Sequence, residues 1–358
     1  AGSEVVGQVV RSAMQIHVYP GRLSAQATGD IIIEQLTSDL RISQVDSGGV
    51  VMIKVLDGNM YVGKIISGNY VDLKAPKGSL LDIFDDADLP SDNIVAPING
   101  NVYLHSGPGG NIGSATNFLE VWIKEGELTS YSEGDTFVHS LADLYVESMT
   151  SLNGNITLQV DGDAYIDKFI ANSGIVAINA DDLIIDYCND TEGSSDIDAI
   201  GAILNAGKGI SSADNPLETQ ISKLEANAGT GGIWLDNTGD LTIGQISSQV
   251  GVAAETTVDI SAASSITVAE AIDSGAGPVL LDASDDIHVN APISSGGGIV
   301  TLLAKNNITF SSSGSIDTET GAPTVTLTAD YDKTNGGGIT MADGSFVNAT
   351  GGLIDMDA

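Results

Sequence analysis

The stretch TTVDISAASSITVAEAIDSGAGPVLLDASDDIHVNAPISSGGGIVTLLAKNNITF, Thr256 to Phe310, says one phrase almost three times. Each round has a short alternating apolar run, a polar corner, a second alternating run, a third brief apolar touch and a Ser/Gly turn. The first-run residues Val258, Val279 and Val300 stand 21 apart, and Ile266, Ile287 and Ile308 follow each by eight. Alternation with period two puts one set of side chains inside and the other in solvent. A period near 20 divided among three short strands is one turn of a coil. No such turn buries its apolar edge alone, so successive turns must stack about 4.8 Å apart around a shared core.

Outward from this stretch the phrase recurs as Asp30–Gly48, Gly49–Gly68, Gly154–Gly174 and Gly231–Gly251. Ile233 to Val258 and Val300 to Val325 are 25 apart, while Ile32 to Val51 and Ile156 to Ile175 are 19 apart. Ile32 and Leu40, and Ile233 and Leu241, repeat the eight-residue step. Val45, Ile246, Ile272, Ile293 and Ile316 read as the third apolar position. The corners carry Ser38-Asp39, Gly58-Asn59, Gly162-Asp163, Gly239-Asp240, Asp285-Asp286 and Asn306-Asn307, residue types that tolerate sharp bends and bond to nearby backbone. A helical reading fails because runs such as ITVAEAI are short and rich in Ile, Val and Thr. The expected fold is all-β: a parallel β-helix, or β-solenoid, with three short strands per rung of about 19–25 residues, forming a single elongated body over residues 1–358.

Two stretches interrupt the phrase, about 82–114 and about 190–229, and read as irregular or inserted segments. A second repeat is laid over the first: NIGSATNFLEVWI (Asn111–Ile123) aligns with GISSADNPLETQI (Gly209–Ile221), matching Ser114 with Ser212, Asn117 with Asn215 and Glu120 with Glu218. Asn215-Pro216 reads as a helix start or an edge bend, with an elaborated rung or projecting loop preferred.

Composition narrows the function classes. Thirteen basic residues face 48 acidic ones, a formal charge of −35. Phosphate contacts need Lys and Arg, so nucleic acid is excluded as a partner. A surface so acidic keeps particles apart and attracts divalent cations. No apolar run approaches the roughly 18 residues of a membrane span. Only 5% of the chain is aromatic and 43 residues are glycine, which suits a narrow interior of thin layers. The lone Cys188 offers no internal disulfide. The opening AGSEVV lacks a charged and then apolar leader, which leaves a processed chain and a piece of a longer one both open.

Chemistry-bearing groups are sparse. The adjacent pairs Asp85-Asp86, Asp181-Asp182 and Asp285-Asp286 point to opposite faces of a strand or sit at corners, so they make no acid/base couple by themselves. His17, His105, His139 and His288 lie far apart. The expectation is therefore a protein that is not an enzyme. Acidic residues on stacked rungs repel, and calcium relieves such repulsion. Candidate calcium ligands are Asp85, Asp86, Asp88 and Asp92 in FDDADLPSDN, and Asp190, Asp196 and Asp198 in CNDTEGSSDID. Trp122, Trp234, Tyr61, Tyr70 and Tyr103 read as rung packing or as solvent-side rings that stack on sugars. The last phrase, GGLIDMDA, reads as the first strand of another rung. Its Leu353 and Ile354, with Val5, Val6, Val9 and Val10 at the other end, are the candidate assembly residues, because an open last rung invites edge-to-edge pairing.

The phrases GGIWLDNTGDLTIG (Gly231–Gly244), GPVLLDASDDIHVNAPISSGGGIVTLLAKNNITF (Gly277–Phe310) and ISSADNPLETQI (Ile210–Ile221) resemble the repeat regions of filamentous-haemagglutinin-like proteins, very large secreted bacterial adhesins. The resemblance covers most of the chain, best from Gly207 to Ile316. It implies a right-handed parallel β-helix, export to the cell surface, and an adhesive or scaffolding role. No catalytic residue carries over, and the family's N-terminal secretion motif is not recognisable. The leading expectation is an extracellular structural subunit or segment of a surface fibre. It assembles end to end with itself, or continues into the remainder of a longer parent chain. The alternatives are an adhesin segment binding a glycan or a host or partner-cell surface through the irregular stretches, a polysaccharide-active enzyme, or a phage tail-fibre shaft.

Overall fold

The computed structural model describes residues 14–16, 21–84, 92–96, 100–188, 194–249, 251–319, 321, 323–334 and 336–358. The chain falls into two compact units, 1–177 and 178–358. Among the described residues every regular element is a strand. In each unit parallel strands stack turn on turn into a β-solenoid, about 14 turns in all.

The second unit shows the logic most plainly. Its strands Val258–Ala262, Ile266–Val268 and Ile272–Asp273 form one turn, and the next is Val279–Ala283, Ile287–Val289 and Pro292–Ser295. Register runs Ile233, Val258, Val279, Val300, Val325 down one face. Leu241, Ile266, Ile287, Ile308 and Ile339 stack on the second, and Ile272, Ile293, Ile316 and Val347 on the third. The interior members from Val258 to Val325 are fully buried. Each such aliphatic side chain contributes about 1.5–3 kcal/mol of transfer free energy, and it does so only because the next turn covers it.

The corners are tied as well as bent. In the first unit a polar ladder climbs one edge. Asn59 N–H donates to Asp39 Oδ1 (2.8 Å), Ser79 N–H to Asn59 Oδ1 (2.9 Å) and Asn111 N–H to Ser79 Oγ (3.0 Å). Asp135 N–H then donates to Asn111 Oδ1 (2.9 Å), and Asn155 N–H to Asp135 Oδ1 (2.7 Å). The second unit repeats the device through Asp240, Ser265, Asp286 and Asn307. Corner N–H groups lie outside the strand ladders, so a side chain one turn back accepts from them. Gly58 shows how tight this edge is. Its φ is +140°, and a Cβ there would sit 2.6 Å from the Ser38 carbonyl carbon.

Several residues differ from their expected placement. In IIIEQ the inward residues are Ile31 and Ile33, and Ile32 faces out, so the step to Val51 is 20 from Ile31 rather than 19 from Ile32. Ile175 likewise lies half-buried beside the fully buried Val176. Three consecutive apolar residues fit either phase of a period-two pattern, and a one-residue slip exchanges the faces. Ile246 is half-buried outside the strands, and the third-face strand there is Val252–Ala254, with Val252 stacked on Ile272. Buried Glu225 holds the intervening loop by accepting from the N–H groups of Ile246 (2.7 Å) and Ser247 (2.8 Å).

The stretches read as irregular also supply rung strands. Ile94–Ala96 and Val102–Ser106 lie in the first, and Ile197–Ala206, Leu217–Gln220 and Lys223–Ala228 in the second. Buried Ala199, Ala202, Ala206, Ala226 and Ala228 replace larger side chains, which weakens the hydropathy signal without changing the pleat. Asn215-Pro216 starts no helix. Ser212–Asn215 is a tight turn closed by an antiparallel bridge, as is Ser114–Asn117 in the other unit. Among the described residues no helix is long and apolar enough to cross a membrane.

Candidate functional site

The two bridged turns belong to a longer motif built once in each unit. In the second unit Asp186 ends the strand Leu183–Asp186, Asp196 stands just before Ile197–Ala206, and Glu218 lies in Leu217–Gln220. Stacking brings one carboxylate oxygen of each to within 4.8 Å of the others. Asp186 and Asp196 are 4% and 1% exposed. Glu218 N–H donates to Asp196 Oδ2 at 2.9 Å, and Asn215 Nδ2 donates to the Asp186 carbonyl at 3.2 Å.

In the first unit the corresponding residues are Asp82, Asn93 and Glu120, all buried. Glu120 N–H donates to Asn93 Oδ1 at 2.9 Å, the counterpart of the Glu218–Asp196 bond. The other half of the Asn93 amide donates to Asp82 Oδ1 at 2.6 Å and to the Val62 carbonyl at 3.2 Å. An amide donor thus meets Asp82 in one unit, where the other unit places a third carboxylate. Carboxylates this close disfavour one another's charge, and a proton or a cation relieves it. Three carboxylates are the donor chemistry that a hard divalent cation such as calcium accepts.

Of the calcium candidates, Asp196 is in this group. Asp198 is half-buried two residues along the strand and pairs in register with Gln220, outside the group. Asp92 is half-buried next to Asn93, and its carboxyl is pushed above the usual range by desolvation, with Lys64 opposing. Asp85, Asp86, Asp88 and Asp190 lie outside the described residues, as do the assembly candidates Val5, Val6, Val9 and Val10. Asp186 and Glu218 escaped sequence reasoning, since 32 residues separate them. The match of Glu218 to Glu120 in the long repeat was the available signal.

Leu353 and Ile354 are exposed at 61% and 40%. The strand Ile354–Asp357 pairs in register with Val325–Thr328, as the first strand of a further rung should. Tyr61 lies beneath the Arg41 guanidinium, 4.3 Å from ring centre to Cζ. Trp122 and Trp234 are half-buried at outward strand positions. Tyr70 and Tyr103 meet edge to face with centroids 6.2 Å apart. Asp286, half of one paired-carboxylate candidate, accepts from Asn307 N–H at 2.8 Å and serves as a corner acceptor.

No protein-family model matches the chain, and neither a curated protein nor a solved structure matches it.

Proposed function

We propose that the chain is a structural, non-enzymatic segment of an extracellular cell-surface fibre, in which the layer at 339–357 is covered by a further β-layer of the same kind, from a second copy or from the remainder of a longer parent chain. One observation carries this reading. The last layer continues the interior columns, with Ile339 on Ile308, Ile354 on Val325 and Met356 on Leu327. Its inward side chains nevertheless remain open, with Met341 38%, Ile354 40% and Met356 45% exposed, against full burial of Val325 and Leu327 one turn back. An apolar layer with a free strand ladder favours another layer in the same register. The acidic composition and the resemblance to repeats of secreted adhesins support a place outside the cell.

Sedimentation velocity of the parent chain and an Ile354→Asp/Met356→Asp variant tests the proposal. The parent forms a concentration-dependent series of larger species, and the variant sediments as a monomer. A parent that stays monomeric at high concentration, with and without calcium, overturns covering by a second copy.

A further inference from the structure

Three successive strands of one face in the first unit, Val71–Ala75, Val102–Ser106 and Glu127–Ser132, carry an unusual set of outward residues. In register, Tyr103 lies beside Asp72 and Thr129, and His105 beside Lys74 and Tyr131. With Tyr70 from the preceding corner they line a groove of about 600 Å³. That volume is within the range of ligand sites. The groove crosses two strand spacings, about 10 Å.

The aromatic rings are held in place. Tyr70 and Tyr103 meet at 85°, and His105 packs on Tyr131 with centroids 5.0 Å apart. Asn101 Nδ2 donates to the Tyr103 hydroxyl at 3.3 Å. Three of the nine tyrosines of a chain poor in aromatics thus gather on three adjacent rungs.

A second observation is independent of the rings. Asp72 is only 8% exposed although it faces outward. Lys74 Nζ holds its Oδ2 at 2.7 Å, while Oδ1 is buried and accepts no hydrogen bond from the protein. Buried carboxylate oxygens almost always have a donor, so one without calls for a partner outside the protein.

We infer that this groove binds a neutral saccharide, which donates a hydroxyl hydrogen bond to Asp72 Oδ1 and lays the C–H face of its ring on Tyr103 and Tyr131. The ligand must present donors and acceptors at its rim and an apolar face, and a pyranose does both. Lys74 is already matched by Asp72, so an anionic ligand meets no free cation here and approaches a chain of net charge −35. The same pairing neutralises Asp72 and removes the attraction for a cation. Burial and the Lys74 ammonium hold the His105 imidazole below its ordinary pKa, so it is neutral near pH 7 and able to donate or accept.

Affinity electrophoresis and saturation-transfer NMR on the whole chain test the assignment. Soluble oligomers of glucose, xylose, mannose and N-acetylglucosamine are the neutral probes, with a sulfated glycan and tetramethylammonium as charged ones. At least one neutral oligomer binds. Tyr103→Ala and Tyr131→Ala each weaken it roughly tenfold, and Asp72→Ala weakens it comparably. Tyr61→Ala, outside the groove, leaves it unchanged, and circular dichroism shows that each variant is folded. Absence of binding by every neutral oligomer, binding indifferent to the two groove tyrosines, or preference for either charged probe overturns the assignment. None of these outcomes bears on stacking of the last layer, which rests on other residues.

Discussion

Asn93 and Asp196 hold the same place in two copies of one motif, each accepting a glutamate N–H at 2.9 Å, from Glu120 and Glu218 respectively. The difference is one donor. Asn93 turns an amide toward Asp82, whereas Asp196 turns a carboxylate oxygen toward Asp186 and Glu218.

Asp196→Asn therefore relieves repulsion without losing the bond from Glu218. It stabilises the protein by about 1–3 kcal/mol in chelator-treated buffer at neutral pH. Calcium raises the unfolding temperature of the parent, and the variant, short of one anionic ligand, responds less. Thermal unfolding with chelator and with calcium reads both effects. A variant less stable than its parent under chelation contradicts the repulsion argument.

Adjacent isoleucines separate the two faces of a strand. Ile33 is 5% exposed and points into the coil, while Ile32 is half-buried and points out. Ile33→Ala costs about 2–5 kcal/mol, and Ile32→Ala costs less than about 1 kcal/mol. Chemical denaturation of the two variants measures both. Equal costs would mean that the register of this strand is wrong.

The period was legible because Val258, Val279 and Val300, and Ile266, Ile287 and Ile308, recur at an unbroken spacing of 21 with the same step of eight between the two sets. It was less legible at Ile32 and Ile175, where consecutive apolar residues make the two phases equivalent. It failed at Ile246, because ISSQ imitates a third strand whose real occupant is the small-residue run Val252–Ala254. Site residues were legible where local composition marks them, as for Asp196, Tyr70 and Tyr103. Asp186 with Glu218 in the second unit, and His105 with Tyr131 in the first, come together only through stacking, across 32 and 26 residues, and a local acidic or aromatic count does not register that.

The corner ladder is a chain of single acceptors. Asn59 Oδ1 serves Ser79 N–H, and Asn59 N–H uses Asp39 Oδ1. Asn59→Ala leaves the Ser79 donor without its acceptor and costs about 1 kcal/mol. Asn59→Asp keeps an acceptor and costs less. Hydrogen exchange at Ser79 distinguishes the local effect from general loosening: the alanine variant exchanges faster there, and unchanged protection rules the ladder out as a source of stability.

Stability of the second unit depends on pH through Asp259 and Asp282. Desolvation pushes both carboxyls above the usual range, and neighbouring aspartates add to the shift. Tyr331 and Lys305 partly oppose it at Asp282. A native pKa above the unfolded one means that the folded state holds more protons between the two values. Stability therefore falls as pH rises through that window. Asp259→Asn gains about 0.2–1 kcal/mol at pH 7, the scale of like charges across neighbouring strands. The gain disappears near pH 3, where both states are protonated. Urea titrations at the two pH values measure it, and a gain that persists in acid contradicts a charge origin.

X-ray diffraction from aligned native fibres decides whether the stacking inside the chain continues from one copy to the next. Layers joined through Ile354 and Met356 give a reflection at about 4.7–4.9 Å along the fibre axis. Native material that exists only as separate particles, or fibres whose strand-spacing reflection lies across the axis, would contradict it.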